Sequence, residues 1–345
     1  MTAVGRIHLR RDYVTGTAPG FAADATLGVD GYLTAAAARM AVLAGVRQSF
    51  AKAQQLLAEL GGWALDDETI RQATHRAARQ AAAARPQRGD AARFAQTGGA
   101  IEVPIDAGKV NTTAGWRDVK VAVFAKRDLG APATPTQWDE RDLPTPAVRT
   151  VVAAIEDAAA FAGRVRTEAD RLQVTTAADV TVLGDGAEWI WNLAAAVLPQ
   201  AAGVLDIYHA VEHLADAAQA CWGDGTPQAA AQLDAGRTAL LAGGKAALEH
   251  WIGEAFGASP AGTSTDPLLG LAAYFAKHPT RLGYTARLAD GRSIGSGLVE
   301  GTVKQLINLR LKRTGARWRA EHVGPLVELI ALADSPDWFP YWTTA

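Results

Sequence analysis

The sequence has almost no cysteine and no long apolar run. Cys221 is its single cysteine, which excludes an internal disulfide and a zinc finger built on paired cysteines. No stretch approaches the run of about twenty apolar residues that a membrane-spanning helix needs. Residues 1–6 carry neither the apolar core nor the cleavage site of a secretory signal. These absences predict a cytoplasmic protein with no membrane partner.

The chain also has little net charge. Its formal charge of -2 argues weakly against a nucleic-acid partner, because dedicated binders are often strongly basic. Phosphate groups respond to the local potential, however, and the positive residues are clustered. Such clusters are typical of nucleic-acid contacts and equally of solvated helix faces. The three clusters are Arg6, Arg10 and Arg11; Arg71, Arg76, Arg79, Arg85 and Arg88; and Lys304, Arg310, Lys312, Arg313, Arg317 and Arg319.

The pattern of apolar residues divides the 345 residues into four segments. Residues 1–95 are predicted to be helical, and residues 96–208 to form the first part of an α/β core. Residues 209–288 show helical spacing without a strand pattern, which indicates a helical insertion. Residues 289–345 are predicted to complete the core with a helix that follows Gly295.

The N-terminal segment is predicted to contain three helices. The first is alanine-rich and is expected to break at Gly45, and the second covers residues 50–60 and stops at the glycine pair ending in Gly62. Asp66 or Asp67 can cap the third helix, which carries arginines. This arrangement is compatible with a helix-turn-helix that binds DNA. Two antiparallel helices with no role in DNA binding would give the same pattern.

The pattern changes to alternation near residue 100. Alternating apolar residues over 101–106 predict a half-buried strand, which Asp106 is expected to follow. A turn over residues 108–115 and a second strand over 119–123 would complete a hairpin. The apolar residues of segment 146–172 are spaced for a helix.

Two short apolar runs, 180–183 and 204–207, predict buried parallel strands. A crossover helix is predicted between them at residues 189–198. This alternation predicts an α/β fold with a mixed sheet flanked by helices. Active residues in such sheets gather at the carboxyl ends of strands. Asp185 is expected at one such end, and Asp206 within the last strand.

Three acidic residues have a spacing suited to metal chemistry. Asp106 and Asp185 are predicted to follow strands, and Glu300 to start a helix. Two-metal phosphoryl transfer needs carboxylates that converge on ions about 3.5–4 Å apart. Magnesium prefers oxygen ligands, so no histidine or cysteine is required. Each acid also has an ordinary structural interpretation, as a turn aspartate or as a glutamate complementing a helix dipole.

Four local strings occur in one order along the chain. They are PIDAG at 104–108 with GWRDVK at 115–120, GDGAEWI at 184–190, DIYHAVEH at 206–213, and GSGLVEG at 295–301 followed by Lys304, Arg310, Lys312, Gly315 and Trp318. Together they resemble insertion-sequence transposases of the ISKra type. These belong to the DDE group, within the RNase H-like or retroviral-integrase superfamily. The likeness extends from about residue 35 to the C-terminus.

The resemblance implies an RNase H-like catalytic core interrupted by an all-helical insertion, with an N-terminal helical domain. It implies that Asp106, Asp185 and Glu300 are the catalytic acids and bind two Mg²⁺ or Mn²⁺ ions. The expected reaction is cleavage of double-stranded DNA at the ends of an insertion sequence, followed by strand transfer. A homodimer is expected because two DNA ends must be brought together. The expected location is the nucleoid.

The sequence departs from the family pattern at two places. Family members commonly carry cysteine pairs near the N-terminus that suggest a zinc-binding element, and this chain has none. Ala107 also stands where glycine is expected after the first aspartate. A transposase-derived protein that binds DNA without cutting it is therefore an alternative. Retention of all three acids argues against this alternative.

Other residues are predicted to support the site or to contact DNA. Asp206 and His209 are expected to hydrogen-bond beside Asp185, with His209 near the scissile phosphate. Basic residues after Glu300 are expected to contact phosphates, and neighbouring tryptophans to stack on bases. Trp191 is instead predicted to belong to the core. The predicted DNA contacts are Lys304, Arg310, Lys312, Arg313, Arg317, Trp318 and Trp189.

A competing motif overlaps the third string. His209, Glu212 and His213 form His-x-x-Glu-His, the signature of inverted zinc peptidases. Both imidazoles could bind one zinc ion, with the glutamate as base and Glu249 or Glu254 as a third ligand. This interpretation leaves the GDG string and the basic C-terminal cluster without a role, so the transposase interpretation is preferred.

Overall fold

The architecture is a five-stranded mixed sheet flanked by helices, which confirms the predicted α/β class. It is taken from a computed structural model that describes residues 33–344 together with 2, 13–15, 20, 21, 24, 29 and 30. The N-terminal cluster of Arg6, Arg10 and Arg11 lies outside the described residues. The sheet strands are β1 (Ala100–Thr112), β2 (Gly115–Arg127), β3 (Val148–Ala154), β4 (Val180–Gly184) and β5 (Ala202–Leu205).

The strands follow the order β3-β2-β1-β4-β5 across the sheet. β1, β2 and β3 form an antiparallel meander. β4 runs parallel to β1, and β5 runs parallel to β4. Both parallel strands were predicted from their apolar runs, and the crossover helix predicted between them is present. The parallel strands all end at the same edge of the sheet, which positions the candidate site.

Three predictions about this region are wrong. β1 is not half-buried: Glu102 and Pro104 are as buried as their neighbours, because β1 is the central strand and both of its faces are covered. Gly108 lies inside β1, and the hairpin turn falls after Thr112. Residues 148–154 form β3 rather than the start of a helix, since their valines pair with β2.

The described helices surround this sheet. Pairs of two-residue strands join Tyr13–Val14 to Gly20–Phe21 and Val29–Asp30 to Leu33–Thr34. Single turns of other helix types occur at Arg85–Gln87, Pro135–Gln137 and Lys304–Asn308. The α-helices are α1 (Ala35–Arg47), α2 (Phe50–Gly61), α3 (Asp67–Ala83), α4 (Asp90–Gln96), α5 (Ala158–Arg171), α6 (Glu188–Val197), α7 (Ile207–Trp222), α8 (Pro227–Ala258), α9 (Asp266–Ala276), α10 (Tyr284–Ala289), α11 (Gly297–Val303), α12 (Leu309–Leu311), α13 (Ala320–Ala333) and α14 (Trp338–Thr344).

The N-terminal helices begin and end largely where their capping residues predict. Gly62 adopts a left-handed conformation that ends α2, and the Asp66 carboxylate accepts a hydrogen bond from the Thr69 amide at the start of α3. Gly45 does not break α1 as predicted. It lies within the helix, where a Cβ atom would collide with the Thr74 hydroxyl, so it allows α1 and α3 to pack closely.

Neighbouring residues of β2 face two different cores. Val121 and Val123 pack with α1, α3, α11 and α13, so the N-terminal and C-terminal helices cover one face of the sheet. Ala122 and Phe124 pack with α5, α6 and the helices of segment 209–288 on the other face. Among the described residues, no helix is both long and apolar enough to cross a membrane.

Candidate metal centre

Three aspartates lie at one level across the three parallel strands. The β1–β4 register pairs Pro104 with Leu183, and two further steps along it place Asp106 opposite Asp185. The β4–β5 register pairs Gly184 with Leu205, so Asp206 follows at the same level. Neighbouring strands are about 4.8 Å apart. Residues in register on neighbouring parallel strands project to the same side, so the three aspartates share one face of the sheet.

The local position of two of these acids differs from its prediction. Asp106 does not follow β1 but lies within it, paired with Val121 of β2. Asp206 does not lie within β5; it is the N-cap of α7, and its carboxylate accepts a hydrogen bond from the His209 amide at 2.9 Å. Capping therefore fixes the orientation of this carboxylate.

The loop that carries Asp185 is held on both sides. The Asp185 carboxylate accepts a hydrogen bond from the Ala187 amide at 2.8 Å, and its carbonyl accepts one from the Trp191 indole at 3.0 Å. Trp191 is buried, as predicted. A Cβ atom at Gly184 would lie 2.9 Å from Ile190, so glycine is needed for α6 to approach β4.

Glu300 reaches the site from the opposite core. Its helix, α11, packs directly on β1 because Gly108 has no side chain; a Cβ atom there would lie 2.9 Å from Val303. The Ser296 hydroxyl donates a hydrogen bond to the Glu300 carboxylate at 3.0 Å. The Ser296 amide donates to the Asp206 carboxylate. Ser296 therefore connects Glu300 to the strand ends.

One group of residues has ligand atoms close enough to share an ion. One ligand atom from each of Asp206, His209 and Glu300 lies within 4.8 Å of the other two, the one such group found within the described residues. Two members, Asp206 and His209, were predicted to support the site rather than to bind metal. Their imidazole–carboxylate contact was predicted and has a length of 3.4 Å.

Electrostatic effects connect this group to the predicted triad. Burial raises the pKa of Asp106, and the carboxylates of Asp185 and Glu300 raise it further, while His209 lowers it. Asp106 is therefore close enough to Asp185 and to Glu300 to be affected by both charges.

The pKa of His209 is raised to about 9, chiefly by its hydrogen bond to Asp206 and further by the charge of Asp185. Burial raises the pKa of Asp206, but hydrogen bonds from His209 and Ser296 outweigh it and lower the pKa overall. His209 is therefore protonated at neutral pH and places a positive charge among the carboxylates.

The donor set fits a divalent cation. Carboxylate oxygens are the preferred ligands of Mg²⁺ and Mn²⁺, and four carboxylates, those of Asp106, Asp185, Asp206 and Glu300, lie in this region. Ser296 fixes one of these carboxylates by a hydrogen bond, as partners of metal ligands commonly do.

The residues of the competing zinc motif are engaged elsewhere. His213 is not part of the close group; its ring stacks on Tyr274 with the ring centroids 3.8 Å apart. Glu249 pairs with Lys245 at 2.7 Å, and Glu254 with His250 at 3.3 Å. Neither proposed third ligand thus belongs to the group that contains His209.

Tyr274 is a neighbour of the site that the sequence did not indicate. Its ring lies against Gly186, where any side chain would collide with it. Its buried hydroxyl has no hydrogen-bond partner among the described residues. Burial raises the pKa of Tyr274, and the charges of Asp185 and Asp206 raise it further. Tyr274 belongs to α9, in the helical segment, and no local motif marks it. Ser296, also missed, at least stands within the GSG string.

The residues predicted to contact DNA fall into three groups by exposure. Lys304, Lys312, Arg313 and Arg317 are exposed. Arg310 and Trp318 are buried rather than exposed. Trp189 is half-buried, with its ring against Phe161 and the Lys120 ammonium 5.5 Å away.

The arginines of the second basic cluster, at residues 71–88, also differ in exposure. Arg76 and Arg79 are exposed on α3. Arg85 is largely buried and forms ion pairs with Glu168 and Glu328, and a buried Arg88 nitrogen lacks a partner among the described residues. Arg85 therefore contributes to the core rather than to a DNA-binding face.

Comparison with models of known protein families gives no match, and comparison with curated proteins gives no significant similarity. The functional interpretation therefore depends on the chemistry of the site.

Proposed function

We propose that the protein is a DDE transposase that cleaves DNA at insertion-sequence ends and transfers the freed strands. The observation that carries this proposal is the alignment of Asp106, Asp185 and Asp206 across the parallel strands, with Glu300 brought beside Asp206 by α11. An RNase H-like core belongs to the same proposal. It is supported by a mixed sheet whose antiparallel meander precedes two parallel strands, and by an all-helical segment between β5 and the glutamate helix.

The carboxylates Asp106, Asp185 and Glu300 would hold two Mg²⁺ or Mn²⁺ ions, which activate the nucleophile and stabilise the leaving oxygen in phosphoryl transfer. Ser296 keeps the Glu300 carboxylate oriented, and Asp206 keeps His209 protonated and in place. The His209 imidazolium would offset negative charge on the scissile phosphate. These roles depend on positioning and charge, so no covalent bond to the protein is needed.

The reaction has two steps. Water attacks the phosphorus of a phosphodiester at the element's end, and the P–O3′ bond breaks to release a 3′-hydroxyl. That hydroxyl then attacks the phosphorus of a phosphodiester in the target DNA, and the P–O3′ bond of this target phosphodiester breaks. The exposed residues Lys304, Lys312, Arg313 and Arg317 would contact the DNA backbone. A homodimer would bring the two ends together.

The test compares Asp185→Asn with Asp224→Asn, which changes an exposed aspartate in the loop after α7. We expect the unchanged protein and Asp224→Asn to nick supercoiled plasmid with Mn²⁺, and Asp185→Asn to lose at least 100-fold in rate. Circular dichroism and a DNA mobility shift should be the same for all three. Nicking by Asp185→Asn at the unchanged rate would contradict the proposal. DNA binding without any nicking by the unchanged protein would favour the binding-only alternative.

A further inference from the structure

A cationic pocket lies between the N-terminal helices and the C-terminal basic segment, apart from the metal centre. It has a volume of about 380 Å³, and none of its lining residues is an aspartate or glutamate. One wall comes from the start of α2 and from α3, and the other from α12, α13 and the loop between them. Its charged and imidazole lining includes Arg71, His75, Arg310, Arg313, Arg317 and His322.

Arg310 is the buried centre of this pocket. Its side chain is held between Phe50 and Trp318, whose ring centroids lie 4.7 and 5.0 Å from the guanidinium carbon. Its Nε donates to the Gly45 carbonyl at 2.9 Å. Its Nη2 is buried and has no hydrogen-bond partner among the described residues, although the residue is only 4% exposed. A buried guanidinium without a counter-charge is costly unless an anion completes its hydrogen bonds.

Burial lowers the pKa of Arg310 to about 10, and the charge of Arg313 contributes. Arg310 is still charged at neutral pH. Arg71 on the facing wall is partly neutralised by Glu68, at 2.6 Å. The exposed Arg313 and Arg317 form no ion pair with any described residue, so the pocket keeps an excess of positive charge.

Two histidines stack within this positive field. The ring centroids of His75 and His322 are 4.2 Å apart. Burial lowers the pKa of His75 to about 4, and His322 and the nearby arginines add to this effect. The pKa of His322 is lowered for the same main reason. The charged groups that act on the two rings are Glu68, Arg71, Arg79, Arg310, Arg319 and Glu321.

We propose that this pocket binds a phosphate group, with Arg310 as its buried donor and the arginines of both walls completing the contact. A planar guanidinium donates two parallel hydrogen bonds to a phosphate, which suits an arginine whose outer nitrogen is unpaired. The pocket itself does not depend on the transposase proposal. The identification of the phosphate as part of a DNA backbone does depend on it.

The position of the pocket fits a DNA strand that also reaches the metal centre. Glu300 and Arg310 lie on one continuous helical stretch formed by α11, the turn at Lys304–Asn308 and α12. At a rise of about 1.5 Å per residue, they are separated by about 15 Å along this stretch. That distance corresponds to about four base-pair steps of duplex DNA, at 3.4 Å each. A backbone phosphate a few nucleotides from the scissile bond would therefore meet the pocket.

The experiment titrates inorganic phosphate into the metal-free protein by calorimetry, at constant ionic strength adjusted with chloride. The test variant is Arg71→Gln with Arg317→Gln, which removes one charge from each wall. The matched control is Arg149→Gln with Lys277→Gln, which removes two exposed charges elsewhere. We expect phosphate to bind the test variant at least tenfold more weakly than it binds the unchanged protein. Its affinity for the control should be within twofold of its affinity for the unchanged protein. Arg310→Lys keeps the positive charge but removes the planar guanidinium with its two parallel donors, so it should also weaken phosphate binding.

The histidines give a second readout. Phosphate should shift the imidazole NMR signals of His75 and His322 and raise their pKa values, since an anion offsets the surrounding arginines. A failure of phosphate to shift these signals, or equal affinity in the test variant and the unchanged protein, would overturn the proposal. An adventitious weak association would appear equally in the control and test variants, and would overturn it too.

A competition experiment identifies the source of the phosphate. A 12-base-pair duplex without terminal phosphates should displace inorganic phosphate if the ligand is a DNA backbone. Binding of inorganic phosphate without such displacement would still support the pocket, and would assign it to free phosphate or a phosphate ester. Asp185→Asn should bind phosphate normally. Nicking activity in Asp185→Asn would overturn the proposed function and leave the pocket intact.

Discussion

Replacing Arg85 with glutamine should remove the central cation of a buried ion network. Arg85 Nη2 lies 2.9 Å from the Glu168 carboxylate, and Nη1 lies 3.0 Å from that of Glu328. Nη2 also donates to the Val151 carbonyl of β3 at 2.7 Å. Arg85 therefore links β3, at the edge of the sheet, to α5 on one face of the sheet and to α13 on the other.

The cost follows from the burial of its partners. Glu168 and Glu328 are 3% and 5% exposed, so neither carboxylate can turn to solvent when the guanidinium is lost. Breaking one partner of a buried ion pair costs about 3–5 kcal/mol. Glu168 keeps Arg171, at 2.7 Å, which places the expected loss in unfolding free energy near the lower end, about 3 kcal/mol.

The pH dependence follows from Glu168. Burial raises its pKa, but hydrogen bonds from Arg171 and Arg85 outweigh this effect and lower the pKa to about 2. A carboxyl whose folded pKa is lowered contributes stability above its unfolded pKa of 4.5, and loses that contribution as the pH falls toward about 2. The difference in unfolding free energy between the unchanged protein and Arg85→Gln should therefore be full at pH 7 and shrink below about pH 4.5.

Urea unfolding monitored by tryptophan fluorescence measures this difference. Arg292→Gln is the control, because its bidentate pair with Asp179 is partly exposed and should contribute less than about 1 kcal/mol. Equal losses for Arg85→Gln and Arg292→Gln would refute the reasoning. So would a large loss of DNA affinity in folded Arg85→Gln, because it would return Arg85 to the DNA-binding face predicted from the sequence.

Three other changes test the site itself. Ser296→Ala should weaken Mn²⁺ binding about tenfold, measured by calorimetry, because Glu300 loses its orienting hydrogen bond; an unchanged affinity would contradict the assigned role. Asp206→Asn should lower the pKa of His209 from about 9 toward 6.5, measured by NMR on metal-free protein; a value that does not change would mean that Asp206 is not the cause. Gly186→Ala should cost about 1–3 kcal/mol of unfolding free energy, because the new methyl group collides with the Tyr274 ring; the same protein with Tyr274→Leu as well should recover part of that loss.

Much of the α/β framework could be predicted from local patterns. The runs at 180–183 and 204–207 are short and mostly apolar, and both overlap the parallel strands Val180–Gly184 and Ala202–Leu205. β3 could not be predicted in this way. Val148, Val151 and Val152 are spaced three and four apart, which suits a helix as well as a strand. Their pairing with β2 decides between the two, and that contact is not visible in local sequence.

The candidate site, like the fold, could be predicted from local sequence only in part. The three predicted acids stand in short strings, and they lie in one region. Gly184 marks the end of a strand and Gly297 the start of a helix, whereas Gly108 lies inside β1. The contacts between residues of distant elements could not be predicted in this way. Ser296 meets Asp206 across a long stretch of chain, and Tyr274 reaches Gly186 from a separate helix. Nothing in the local sequence distinguishes the buried Arg310 from its exposed neighbours Lys312 and Arg313, since all three belong to one basic run.

The balance of charge at the site favours binding of divalent cations. Asp106, Asp185, Asp206 and Glu300 carry negative charge into one partly buried region, and His209 supplies a positive charge beside them. Since burial and neighbouring carboxylates raise the pKa of Asp106, protons compete for this site, and metal affinity should fall as the pH is lowered. A structural ion network needs no such excess, and the network around Arg85 has nearly equal numbers of acids and arginines. The surplus of carboxylates at the strand ends is therefore the feature that separates a candidate catalytic site from a structural one.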